Sequence, residues 1–124
     1  IFIPNNYPEN VTKVFVPILR ENDAFTFPYF YQLAKNQDMT IIIWDAIGIV
    51  NSNPKLQKLY QTITKKVDGK IRLWNNDRKI EDEFIQQQDL MIIGYEGWEK
   101  LLVTPLSWIE HLPSVLIIRD KRTL

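Results

Sequence analysis

The chain has 124 residues, 45% of them hydrophobic, with 15 basic and 15 acidic side chains and a formal net charge of zero. That is enough chain for one domain with one core, and it lacks the basic excess of a nucleic-acid binder. Cysteine is absent, which removes disulfides, thiolate metal sites and a cysteine nucleophile together. No apolar run reaches the roughly 18–20 residues of a membrane helix; the candidate from Thr40 to Val50 is interrupted by Asp45. The opening residues lack a basic segment followed by a long apolar stretch, so no secretory signal is read there. The chain begins with Ile1 rather than Met, and we expect a piece of a longer protein.

Residues 1–12, with two Pro and several Asn, read as a linker leading into a single domain over residues 13–124, with Phe2 and Ile3 packing on it. Lys13 to Leu19 is a β-branched run and predicts the first strand, with Pro17 near its end or on an unpaired edge. Arg20 to Asp23 reads as a polar loop. Thr26 can then cap a helix whose apolar surface is Phe27, Phe30, Tyr31, Leu33 and Ala34. Met39 to Trp44 is nearly continuous apolar sequence, as in a strand buried on both faces. The clearest helix follows Pro54: Leu56, Leu59, Tyr60, Ile63 and Val67 fall at helical spacing, Lys and Gln take the other face, and Gly69 can close the end.

Lys70 to Trp74 alternates polar and apolar and predicts a half-buried third strand near a sheet edge. Asp77 can cap a short helix with Ile80, Phe84 and Ile85 inward. Asp89 to Ile93 is a fourth buried strand, Gly94 to Gly97 a turn, and Trp98, Leu101 and Leu102 begin a helix face. Thr104-Pro105 reads as an N-cap followed by Pro at the first helical position. Ser114 to Ile118 is the fifth strand. Strands alternating with helices imply an α/β fold with a parallel sheet and right-handed crossovers. The expected architecture is five parallel strands in the order 3-2-1-4-5 with helices on both faces. Such a sheet binds ligands at the carboxyl ends of its strands where strand order reverses, here between the first and fourth strands.

Gly94 and Gly97 lie at that point. Two glycines after a buried strand let backbone amides approach a phosphate, and the helix start adds its dipole. Alone the pattern also describes an ordinary tight turn, and Glu96 inside it would repel an anion. Ser107 can reach a phosphate or cap a helix, as can Thr104. Asp45 can accept from a ribose or cap the next segment. His111, the only histidine, has no G-x-S-x-G elbow near it; one His without Cys makes a poor metal site. No Walker A or dinucleotide glycine pattern is present. Trp44, Trp74, Trp98 and Trp108 suit a core better than a base-stacking site.

From Lys13 onward the chain resembles the universal stress protein family. KVFVPI is similar to that family's first strand ending in Val-Pro, DLMIIG with YEG to its D-L-I-V-x-G-x-x-G segment, and PSVLIIRD to its final strand. The resemblance implies the adenine nucleotide alpha hydrolase-like fold. ATP-binding members carry an Asp soon after Val-Pro, where this chain has Ile18 and Leu19. They also carry G-x2-G-x9-G-[S/T]; Gly94 and Gly97 match its first half, while Ser107 and Trp108 stand where its second half belongs. ATP or AMP is thus the cofactor that the resemblance suggests, at a degenerate site of Gly94, Gly97 and Ser107. Similar domains occur at the cytoplasmic C-terminus of cation/proton antiporters, often without the nucleotide motif.

The expected function is therefore a non-catalytic regulatory and dimerisation domain of such an antiporter, cytoplasmic and tethered to the membrane by a transporter domain upstream. The alternative is a stand-alone nucleotide-binding protein of universal stress type. A homodimer is expected through the apolar edge strand Val115 to Ile118.

Overall fold

Each β-branched run of the sequence is a strand in the computed structural model, which describes residues 2–3, 11–26, 31–32, 34–35, 38–67 and 69–119. The strands are β1 (Phe2–Ile3), β2 (Lys13–Ile18), β3 (Thr40–Asp45), β4 (Ile71–Trp74), β5 (Leu90–Gly94) and β6 (Ser114–Ile118). Helices α1 (Ile49–Ser52), α2 (Pro54–Lys66), α3 (Asp82–Gln86) and α4 (Tyr95–Leu102) lie between them, with 3-10 turns η1 (Glu21–Thr26) and η2 (Ser107–His111). The helix expected from Thr26 with Phe27, Phe30 and Leu33 falls largely outside the described residues. Tyr31 and Ala34 from that stretch pack on the core.

Strands β2 to β6 run parallel, with β4, β3, β2, β5 and β6 side by side. In the numbering of the five expected strands this is the order 3-2-1-4-5. Successive side chains of a strand face opposite ways, so β2 feeds two cores. Val14, Val16 and Ile18 join Ile41, Ile43, Ile63 and Val67 on the face covered by α2. Phe15 joins Ile42, Ile85, Met91, Leu101 and Trp108 on the face covered by α3, α4 and η2. Phe15 meets Phe84 and Trp108 edge-on, at ring-centroid distances of 5.3 Å and 6.1 Å. The tryptophans serve this packing: Trp108 is buried, and Trp44, Trp74 and Trp98 lie against the same cluster.

Local signals hold the helix ends. Asn53 caps α2, its side-chain oxygen accepting from the amides of Lys55 and Leu56, and Gly69 takes the left-handed conformation just beyond. Two boundaries differ from expectation. Asp77 is not the cap of α3, which starts at Asp82 after Glu81. Thr104 does not cap η2; its hydroxyl donates back to the Lys100 carbonyl at 2.6 Å and finishes α4. The i−4 carbonyl is within easy reach of a threonine at a helix end.

The segment read as a linker contributes to the sheet. Phe2 and Ile3 pair antiparallel with Leu116 and Val115. β6 is therefore not an open edge at those residues, contrary to the sequence expectation, because a sixth strand satisfies its outward backbone groups.

At the amino ends of the strands, Asp89 ties β5 to β2. Its carboxylate accepts from the amides of Thr12 and Lys13, both at 2.9 Å, and from the Thr12 hydroxyl. Burial pushes this carboxyl up, but the two amides, the hydroxyl and the Lys13 charge together hold it below 3.8. Its stabilisation is thus present above that pH and lost as pH falls through the lowered value. Replacing Asp89 with Ala should lower stability by about 1–2 kcal/mol at neutral pH, measured by urea denaturation, with the difference from the parent shrinking at low pH.

Candidate functional site

The β2–β5 ladder is short. It pairs Val14 with Leu90 and Phe15 with Met91 and then stops, although β2 continues to Ile18 and β5 to Gly94. Beyond that point the two strands run on to their carboxyl ends without pairing. Pro17 lies in this unpaired stretch of β2, where its missing N–H leaves no gap on the β5 side. This is the reversal of strand order at which α/β sheets hold ligands.

The place between these strand ends and the following helix is taken by a side chain of the protein itself. After Ile18 the chain turns through η1, which packs on β2, β5 and α4, and Asp23 points back inside. Asp23 is 1% exposed. Its Oδ2 accepts from the amides of Leu19 at 2.8 Å and Arg20 at 2.9 Å, and Gly97 of α4 lies directly against the same carboxylate. Lys100 of α4 clasps the same loop, its Nζ donating to the Leu19 carbonyl at 3.0 Å.

Gly94 and Gly97 are the reason that this carboxylate fits. Both are buried with negative φ or helical backbone, and neither is a left-handed position. What they supply is the absence of a Cβ. A Cβ on Gly97 would lie 2.7 Å from Oδ1 of Asp23 and 2.8 Å from its carboxyl carbon, and one on Gly94 would overlap Oδ1 as well. The turn read from the sequence as a place where amides approach an anion does hold one, supplied by the protein.

Burial raises the Asp23 carboxyl above 3.8, and the Glu96 charge adds to the rise; the amides of Leu19, Arg20 and Gly97 oppose it. For this group the sign is opposite to that of Asp89. The folded chain holds the proton more tightly than the unfolded chain, so the contribution favours folding below 3.8 and is lost as pH rises through the raised value. A phosphoryl group placed here would face both Asp23 and Glu96. Two like charges 4 Å apart repel by roughly 4 kcal/mol at an effective dielectric of about 20.

The remaining sequence candidates lie elsewhere. Ser107 is exposed, and its hydroxyl donates to Asp82 of α3 at 2.7 Å; it is engaged with α3 rather than with the glycine turn. Asp45 is buried and caps α1, accepting from the amides of Ile49 and Val50 at 2.9 Å and 3.0 Å. His111 is exposed at the end of η2. Among the described residues no cluster of three or more His, Asp or Glu is placed to hold a metal ion. Asp23 is not among the residues that the sequence singles out, because it lies in a polar stretch without a pattern. It comes six residues after Pro17, and only the 3-10 turn returns it to the strand ends.

Comparison with protein-family profiles and with curated proteins gives no match. Among solved structures, the chain is similar to a universal stress protein crystallised in complex with cAMP, at 15% sequence identity and a TM-score of 0.57. The alignment covers 88% of this chain and 97% of that one. The protein therefore has a universal stress protein-like α/β fold.

Gly97→Ala should cost about 1–3 kcal/mol by overpacking against Asp23, read by urea denaturation. The same substitution in an Asp23→Ala background should cost at least 1 kcal/mol less. Additive effects of the two substitutions would mean that Asp23 is not seated against Gly97.

Proposed function

We propose that this chain is a non-catalytic regulatory domain of universal stress protein-like fold that works without a bound nucleotide. The observation that carries the proposal is Asp23. The glycine turn that could take a phosphate is filled by a buried carboxylate held by the amides of Leu19 and Arg20. Ser107, the remaining candidate for a phosphate contact, is bonded to Asp82 instead.

The finer part of the proposal attaches the domain to the cytoplasmic side of a cation/proton antiporter. It is supported by the sequence resemblance and by the altered motif, since appended domains of that kind often lack the nucleotide residues. Regulation would then consist of a shift between transporter conformations, set by what the domain contacts in each. Dimerisation belongs to the same proposal. Because β1 covers Val115 and Leu116, two copies would have to pair at Ile117 and Ile118 or exchange their β1 strands.

The alternative, a stand-alone nucleotide-binding protein, is favoured by one observation: the similar structure was solved with cAMP. Calorimetric titration with ATP, ADP, AMP and cAMP, with and without magnesium, separates the two readings. The proposal expects no binding heat from any of them. Micromolar binding that is weakened by a bulky residue at Gly97 would overturn it in favour of the nucleotide-binding reading.

A further inference from the structure

The zero net charge of the chain conceals a sharp segregation. Residues 54–72 hold six of its 15 Lys and Arg but only one of its 15 Asp and Glu, so this stretch carries +5 and the rest −5. The stretch begins with α2, which contains Lys55, Lys58, Lys65 and Lys66 and no acidic residue. At 100° per residue the four lysines fall within an arc of about 100°, away from Leu56, Tyr60, Ile63 and Val67. All four are exposed. From Lys55 to Lys66 the stripe runs about 16 Å along one straight helix.

Nothing among the described residues neutralises it. The only side-chain partner shown for any of the four is the Tyr31 ring, 5.5 Å from Lys66 Nζ, and Lys35 lies 6.0 Å from the same ring. A second cation is thereby added to one end of the stripe. Leu59, also exposed, stands at its margin.

We propose that the lysine face of α2 docks on an anionic lipid surface. Three features select this partner. The stripe is linear and lies along one helix, which suits a plane rather than a pocket. Its charges are all lysine, compact hydrated point charges suited to diffuse attraction, whereas planar arginine is preferred for paired contacts to individual phosphates. The apolar face of α2 is spent on the core, so the contact is electrostatic and the helix stays folded on its domain. Single-stranded nucleic acid would want aromatic platforms between the charges, and the exposed side of α2 offers none. The inference does not depend on the antiporter reading, since a stand-alone domain could dock in the same way.

The test is co-sedimentation of the full chain with vesicles of phosphatidylcholine alone and with about one third phosphatidylserine. Each lysine near an anionic surface contributes roughly fivefold to partitioning. Binding is expected only to the anionic vesicles, and it should disappear at about 0.5 M salt. The variant K55Q/K58Q/K65Q/K66Q should bind at least about 100-fold more weakly, whereas K55R/K58R/K65R/K66R should bind like the parent. Equal binding to neutral vesicles, no binding to either kind, or an unchanged glutamine variant would overturn the proposal. So would tighter binding to a single-stranded oligonucleotide than to the anionic vesicles. The salt response of the parent decides the matter even where the glutamine variant fails to fold.

Discussion

A carboxylate taken out of water needs hydrogen bonds or a counter-charge, or else it takes up a proton. Asp23 meets part of that demand with the amides of Leu19 and Arg20, while burial still raises its carboxyl. β2 and β5 part after Phe15 and Met91. Pro17 removes a donor from the parted stretch. η1 brings Asp23 back to the amides of Leu19 and Arg20, and the first turn of α4 presents Gly97 from the other side. Two missing Cβ atoms make the approach possible. The feature usually associated with ligand entry in such sheets is here an internal contact between the first crossover loop and the fourth parallel strand's helix.

This contact gives the G-x-x-G turn a structural role of its own, independent of any phosphate. The glycines are needed whether the anion comes from a ligand or from the chain, so their presence does not distinguish the two. What distinguishes them is the position of Asp23, and the presence of a second carboxylate, Glu96, at the same helix start. The opposite sense of the two aspartate shifts fits this division. Asp89, at the amino ends of the strands, is a stabilised anion that ties β2 to β5. Asp23, at the carboxyl ends, is a carboxyl that burial raises above its ordinary range, against the pull of the amides around it.

Most of the fold is legible in the sequence because burial on both faces leaves long apolar runs. Ile41–Ile43 and Met91–Ile93 have no polar alternation to confuse them with edge strands, and the Leu56–Val67 spacing has only a helical reading. The short β1 is not legible as a strand: two residues have no periodicity, and their pairing with β6 depends on a partner more than 110 positions away. Thr104 illustrates a different ambiguity, since Thr-Pro suits a helix start while a threonine hydroxyl equally suits the end of the helix before it. Of the candidate site, Gly94 and Gly97 could be found from their place after a buried strand. Asp23 could not, because the turn that returns it lies in a polar stretch with no pattern, and Ser107 has a partner on α3 that only the tertiary fold brings near.

The central claim is that the Asp23 carboxylate sits in the Gly94–Gly97 turn. The most direct measurement is a pH titration by NMR that follows the Asp23 side-chain carbon together with the backbone amides of Leu19, Arg20 and Gly97. All four signals should share one midpoint, above 3.8. An Asp23 midpoint at or below that value, or a Gly97 amide that does not respond to it, would contradict the account.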